Sequence, residues 1–182
     1  MAILVLSSAP AAEEQFSFAL LGDVPYGPQD AALFPQFVED VINDVDVRLV
    51  AHAGDIKSGL ESCADADLTV RFDMFQGFED PFWLTPGDND WMDCRLDVTD
   101  PAWLPTERLE FFRGLFFPDP ATTTGSTTRP VNAQSMDPGF EDYVENTRFS
   151  ESFGAIHVVG SSNGNQSWVD ETRPNKIFVS WR

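Results

Sequence analysis

Three Gly-Asp pairs are evenly spaced along the first half of this chain. Their aspartates are Asp23, Asp55 and Asp88, so the intervals between them are 32 and 33 residues (55 − 23 and 88 − 55). Each pair follows a short apolar run, which is typical of a buried strand. An interval of this size fits one strand–helix–strand unit. Because the carboxyl ends of parallel strands form one edge of a sheet, we expect the three carboxylates to converge there.

Carboxylates gathered in this way favour a metal site. Like charges that lie close together repel one another, and burying them raises the free energy further. One or two divalent cations would remove that cost, because hard cations bind through oxygen ligands. The glycine before each aspartate allows a sharp turn and a close approach of the backbone to a ligand. A single Gly-Asp pair is common, but three at matched positions predict a metal-binding edge.

The elements between these pairs follow from the hydrophobic pattern. Apolar residues recur at helical spacing over 28–44 and again over 64–77. The alternation of strands and helices predicts an α/β fold with parallel strands and right-handed crossovers. A further helix is predicted over 105–115, with Pro105 near its first turn.

The second half of the chain has a different pattern. Residues 117–138 are rich in Pro, Thr, Ser and Gly, which predicts a long loop or lid. Residues 143–149 and 155–159 are predicted to form an antiparallel strand pair. Residues 177–181 are predicted as a last strand.

The three motifs resemble those of the calcineurin-like metallophosphoesterases, a superfamily related to the purple acid phosphatases. The resembling segments are Gly22-Asp23-Val24-Pro25-Tyr26, His52-Ala53-Gly54-Asp55-Ile56-Lys57-Ser58-Gly59 and Pro86-Gly87-Asp88-Asn89-Asp90-Trp91. The resemblance implies a sandwich of mixed sheets flanked by helices, formed by residues 13–182 and incomplete at its C-terminal end. It also implies two metal ions (Mn, Fe or Zn), with Asp23 as a ligand, Asp55 as the bridge and Asp88 in place of an Asn ligand.

The activity implied by this resemblance is metal-dependent hydrolysis of phosphate esters. Asn89 stands where the family has its catalytic His, and Asp90 matches the acidic residue that orients that His. His52 is expected to support the site rather than to bind metal. Lys57 and Tyr26 are candidates for substrate binding, with an exposed loop lysine as the alternative for Lys57 and a phenolate ligand as a further role for Tyr26.

Some of the family's groups are missing, which keeps a second hypothesis open. Pro25 occupies the position of the second ligand of the first motif, and a prolyl ring cannot bind metal. The family closes its site with C-terminal histidine motifs, whereas this chain has only His52 and His157. The alternative is therefore a metal-binding but catalytically impaired or truncated domain. A third reading is an acidic interaction domain in which the Gly-Asp pattern is coincidental.

The charge of the chain narrows its partners. The 182 residues carry a formal net charge of −19. Such a surface repels nucleic acid and anionic membranes, so neither is expected as a partner. No apolar stretch reaches the ~20 residues that span a bilayer. A small phosphate ester is the partner that the motifs favour.

The N-terminus and the cysteines indicate export. Residues 1–12 combine a short apolar run with an A-x-A-like pattern, which predicts a signal-peptide remnant, or else a disordered N-terminus. Cys63 and Cys94 each lie a few residues after a Gly-Asp pair, so a disulfide between them is predicted, with two unrelated thiols as the alternative. Both features favour a secreted or periplasmic protein.

Overall fold

The computed structural model describes residues 17–43, 47–97, 103–150, 157–159 and 178–180. Within these ranges the chain is a mixed α/β structure. It contains a three-stranded parallel sheet with three α-helices and a smaller antiparallel sheet. The predicted α/β class is therefore confirmed. The N-terminal residues 1–12, predicted as a signal remnant, lie outside the described residues.

The parallel sheet determines where the three Gly-Asp pairs lie relative to one another. Its strands are β1 (Ala19–Leu21), β2 (Val50–His52) and β3 (Phe82–Leu84), in the order β1-β2-β3. The last residues of the three strands, Leu21, His52 and Leu84, lie side by side in the register. All three strands therefore end at the same edge of the sheet and at the same position in the register.

Three α-helices accompany this sheet. Their bounds are α1 (Gly27–Phe37), α2 (Asp65–Phe75) and α3 (Pro105–Phe116). A π-helical turn, Val38–Ile42, continues α1 and ends the predicted helical segment. All three predicted helices are present, with ends shifted by a few residues.

Only one stripe of the first helical segment reaches the core. Phe34, Val38 and Ile42 are buried at intervals of four residues, whereas Leu33 and Val41 are about half exposed. Spacing of four keeps the buried residues on one face of the helix. The wider apolar pattern of the sequence is therefore split between the core and the surface.

Aromatic side chains fill the core between the sheet and these helices. The ring of Phe75 lies 5.2 Å from that of Phe34, 5.0 Å from that of Phe82 and 5.2 Å from the imidazole of His52. Offset and edge-to-face pairs of this kind contribute about 0.5–1.5 kcal/mol each beyond the area they bury. The core thus packs directly against the last residue of β2.

The antiparallel sheet corrects one prediction and confirms another. It consists of β4 (Asn132–Ala133), β5 (Thr147–Ser150), β6 (His157–Val159) and β7 (Phe178–Ser180), in that order. The prediction of a long loop or lid over 117–138 is wrong in part, because β4 and a 3-10 turn at Gln134–Met136 fall inside it. The antiparallel pairing of β5 with β6 is confirmed, although β5 begins at Thr147 rather than near residue 143.

Two buried polar contacts connect the C-terminal part to the rest. The indole Nε1 of Trp83, in β3, donates to Thr147 Oγ1 at 2.7 Å. Arg113, in α3, binds both carboxylate oxygens of the fully buried Glu145, at 2.9 and 2.8 Å. A bidentate pair fixes orientation as well as distance, so α3 and the segment before β5 are held together. Within the described part of the chain, no helix is long and apolar enough to cross a membrane.

Candidate metal centre

The turns after β1 and β2 adopt the same unusual backbone conformation. Asp23 and Asp55 both have φ of +59°, and Gly54 has φ of +92°. Residues other than glycine rarely take positive φ, and Asp is among those that tolerate it. The amide of Asp23 donates to the Gly54 carbonyl at 3.1 Å, which joins the two turns. The strand ends therefore present Asp23 and Asp55 from matching turns.

The turns after β2 and β3 lie in direct contact. A Cβ added to Gly54 would lie 2.3 Å from the amide nitrogen of Gly87, and one added to Gly87 would lie 2.0 Å from Asp55 Oδ1. Contacts below 3.0 Å are essentially never seen for real Cβ atoms. Both positions therefore require glycine, and Asp55 is held against the backbone of the third motif.

The carboxyl of Asp55 has a pKa that its surroundings displace from the usual value. Burial raises the pKa of its carboxyl to about 6, and the charges of Asp88, Asp23 and Asp93 raise it as well. The amide of Asn89, which donates to Asp55 Oδ1 at 3.0 Å, opposes part of this shift. The aspartates of the other two Gly-Asp pairs thus lie near enough for their charges to act on Asp55.

Asp93 is a fourth carboxylate that the sequence reasoning missed. It lies in the 3-10 turn Met92–Leu96, and its amide donates to the Asp88 carbonyl at 2.9 Å. Asp93 Oδ2 and Asn89 Oδ1 each lie 2.9 Å from the position that a Cβ on Gly59 would take. The turn after the third motif therefore returns a carboxylate to the same edge. The only sequence signal was its place five residues after Asp88.

Tyr26 and Asn89 link the first motif to the third. The phenol of Tyr26 donates to Asp23 Oδ1 at 3.1 Å, and Asn89 Nδ2 donates to the phenol oxygen at 3.1 Å. Burial and the charge of Asp55 hold the pKa of Tyr26 well above its usual value. The phenol is therefore protonated and acts as a hydrogen-bond donor to Asp23.

His52 lies beneath the turns, where it contacts the backbone of both. The amide of Gly54 donates to its Nδ1 at 3.1 Å, so the ring proton is on Nε2, which donates to the Val24 carbonyl at 3.1 Å. Burial lowers the pKa of this imidazole to about 4. A neutral ring with both nitrogens engaged holds the turns after β1 and β2 in place, which is the arrangement that a supporting role requires.

Lys57 and Asp90 are both buried behind the turn after β2. Lys57 is only 1% exposed, so the alternative of an exposed loop lysine is wrong. Its Nζ donates to the carbonyls of Ser58 and Glu61, at 3.1 and 3.3 Å, and burial lowers its pKa. Asp90 is fully buried, and burial raises its pKa to about 7.

A disulfide joins Cys63 to Cys94, with 5.7 Å between their Cα atoms. It connects the segment after the second motif to the 3-10 turn after the third. The amide of Cys63 donates to Asp97 Oδ2 at 2.9 Å, and Arg108 Nη1 donates to the Cys63 carbonyl at 2.8 Å. The predicted pairing is thus present, and it fixes the two loops that carry Asp55 and Asp88.

No model of a protein family, no curated protein and no solved structure matches this chain.

The donor atoms at this edge fit a hard cation by type. Carboxylate and amide oxygens are the ligands that Mg²⁺, Mn²⁺ and Ca²⁺ prefer. Among the described residues, however, no group of three or more His, Cys, Asp or Glu side chains is arranged to hold a metal ion. His157 lies in β6, whose side chains fall outside the description. The described residues thus supply oxygen ligands without completing a coordination shell.

Proposed function

We propose that this chain carries metal-binding residues of the active site of a metal-dependent phosphate ester hydrolase of the calcineurin-like type. The observation on which this proposal rests is the grouping of the three Gly-Asp aspartates at one edge of the parallel sheet. The raised pKa of Asp55, to which Asp23 and Asp88 contribute, supports it. A pKa displaced by burial and by specific charge partners at a sheet edge is typical of functional sites. The finer fold proposal is a metallophosphoesterase-like sandwich of mixed sheets flanked by helices.

In this proposal Asp23, Asp55 and Asp88 supply part of the ligand set of one or two metal ions, with Asp55 as the bridge, because the described residues by themselves form no group of three or more side chains that could hold a metal ion. The bound metal would supply Lewis-acid polarisation of the phosphoryl oxygen and a nucleophilic hydroxide. The chain itself supplies the placement. Gly87 keeps Asp55 in contact with the third motif, and the Tyr26 phenol orients Asp23.

Two observations favour the second hypothesis, a metal-binding domain with weak turnover. The Asn89 amide group, which replaces the family's catalytic His, donates to Tyr26. Both ring nitrogens of His52 are engaged with the backbone. General-acid help to the leaving group contributes typically 10²–10⁴-fold to a rate. In the described part of the chain, neither of these two groups is placed to give that help, so we expect slow hydrolysis of esters with poor leaving groups.

The disulfide and the negative net charge support two further proposals, which concern the location of the protein and the class of its substrate. Disulfides persist in oxidising compartments, which supports a secreted or periplasmic location. The net charge of −19 supports a small phosphate ester over a nucleic acid as substrate.

The test is hydrolysis of p-nitrophenyl phosphate and bis-p-nitrophenyl phosphate with added Mn²⁺, Zn²⁺ or Fe²⁺. We expect metal-dependent turnover that Asp55→Asn abolishes. The matched control is Asp40→Asn, which removes the same charge from an exposed position. Asp40 lies about 20 Å along the helical segment from Gly27, at 1.5 Å per residue. Equal turnover by wild type and Asp55→Asn would rule out the proposed site. Metal binding without turnover would select the second hypothesis.

A further inference from the structure

We infer that Asp90 is a positioning residue: its buried carboxylate clamps the turn of the second motif to the turn of the third and so fixes the position of Asp55. The resemblance assigns this position a different task, the orientation of a catalytic His. In this chain the neighbouring residue is Asn89, and its amide group donates to Tyr26. The contacts of Asp90 point instead to the backbone.

Three backbone amides from two turns surround the Asp90 carboxylate. Oδ2 accepts the amides of Asp55 and Gly87, at 3.0 and 2.8 Å, and Oδ1 accepts the amide of Ile56 at 2.8 Å. One side chain therefore connects the end of β2 to the end of β3 by three hydrogen bonds.

The hydrogen bonds to Asp90 hold a part of the backbone that has unfavourable torsion angles. Asp55 has φ of +59° and the preceding Gly54 has φ of +92°. A residue other than glycine rarely adopts this region, so it needs contacts that hold it there. The bonds from the amides of Asp55 and Ile56 to Asp90 provide them. The same bonds keep Asp55 in a position where its Oδ1 lies beside Gly87 and leaves no room for a side chain there.

Burial excludes a direct chemical role for Asp90. The residue is 0% exposed. Both of its side-chain oxygens accept hydrogen bonds from backbone amides. Asp90 can therefore affect a substrate only indirectly, by fixing the position of Asp55.

The chain offers a matched control in Asp97. That residue is 1% exposed, and its Oδ2 accepts the amide of Cys63 and the indole N–H of Trp103, at 2.9 and 3.0 Å. Asp97→Asn therefore also removes the charge of a buried carboxylate that binds backbone, but these two bonds come from Cys63 and Trp103 and not from the turn of Asp55. A general loss of stability is expected in both variants.

The first readout is amide hydrogen exchange by NMR in the metal-free protein, which does not depend on the proposed function. In wild type, we expect the amides of Asp55, Ile56 and Gly87 to exchange as slowly as that of Ala51 in β2. In Asp90→Asn, they should exchange at least about tenfold faster than in Asp97→Asn, because these amides lose the acceptor oxygens that protect them from exchange.

The second readout is Mn²⁺ affinity, which rests on the proposed function. Loss of a group that orients a metal ligand typically weakens metal binding by about 10–100-fold. We expect a loss of this size in Asp90→Asn and none in Asp97→Asn.

Rapid exchange of the three amides in wild type overturns the inference, and this result is available even if Asp90→Asn does not fold. Equal exchange or equal Mn²⁺ affinity in the two variants overturns it as well. If wild type binds no metal, the proposed function fails, and the exchange measurement alone decides the role of Asp90.

Discussion

Replacing Gly87 with alanine tests whether the turns of the second and third motifs touch as closely as the structure indicates. A Cβ at this position would lie 2.0 Å from Asp55 Oδ1 and 2.6 Å from the Asp55 amide nitrogen. The carboxylate can rotate away, but the backbone atom cannot. To reach an ordinary contact of 3.4 Å, the Asp55 backbone must retreat by roughly 0.8 Å.

The expected loss of stability follows from this displacement. Forcing an extra carbon into a packed site costs typically about 1–3 kcal/mol. The retreat also stretches the bond from the Asp55 amide to Asp90 Oδ2, which is 3.0 Å long. We therefore expect Gly87→Ala to lower the free energy of unfolding by about 2–3 kcal/mol.

Two other glycines separate steric crowding from backbone strain. At Gly114, inside α3, an added Cβ meets nothing within 4 Å, so alanine should stabilise the protein by about 0.5–1 kcal/mol. At Gly139 an added Cβ is equally free, but φ is +89°. Alanine there should cost about 1–2 kcal/mol through strain alone.

The assay is urea unfolding of the metal-free protein, with the free energy of unfolding extrapolated to water for each variant. The expected order of stability is Gly114→Ala above wild type, then Gly139→Ala, then Gly87→Ala. The reasoning about the contact is refuted if Gly87→Ala is as stable as wild type, because the two turns cannot then be as close as described.

Two further predictions concern a buried ring and the disulfide. The His52 ring should titrate near pH 4 when followed by ¹⁵N NMR, and a midpoint near 6.5, its ordinary pKa, would contradict its burial. Since the unfolded chain takes up this proton near pH 6.5, the stability that neutral His52 contributes is complete above that pH and is lost as the pH falls towards 4. Asp55 and Asp90 titrate with the opposite sign, because their raised pKa values make stability fall as pH rises through about 4 to 7, so the ring itself must be observed. Replacing both Cys63 and Cys94 with alanine should lower the free energy of unfolding by about 4 kcal/mol, from the loop entropy of a 31-residue separation. A loss below about 1 kcal/mol in chemical unfolding would show that the bridge does not restrain the unfolded chain in this way.

The sequence predicted the parts of the fold that depend on local pattern. Apolar runs that end in Gly-Asp identified β1, β2 and β3, and their equal intervals indicated parallel strands that end at one edge. The positive φ of Asp23 and Asp55 agrees with the turns inferred from the Gly-Asp pairs. These features are encoded within a few residues, so a single sequence suffices to show them.

The features that the sequence did not show depend on contacts between distant segments. Lys57 looks like a loop residue, yet it is buried because its own turn folds over the ammonium group. Asp90 binds amides more than 30 positions away in sequence, at Asp55 and Ile56. Asp93 reaches the site only because the 3-10 turn directs it back. Apart from the place of Asp93 five residues after Asp88, residue type and spacing carry no signal for these contacts.

Mn²⁺ binding measured by isothermal titration calorimetry tests the proposed metal centre most directly, in wild type, Asp55→Asn and the control Asp40→Asn. The carboxylates around Asp55 predict that wild type and Asp40→Asn bind Mn²⁺ with equal affinity and that Asp55→Asn loses binding. Absence of binding in wild type, or undiminished binding in Asp55→Asn, would contradict the proposal that the three Gly-Asp turns form a metal site.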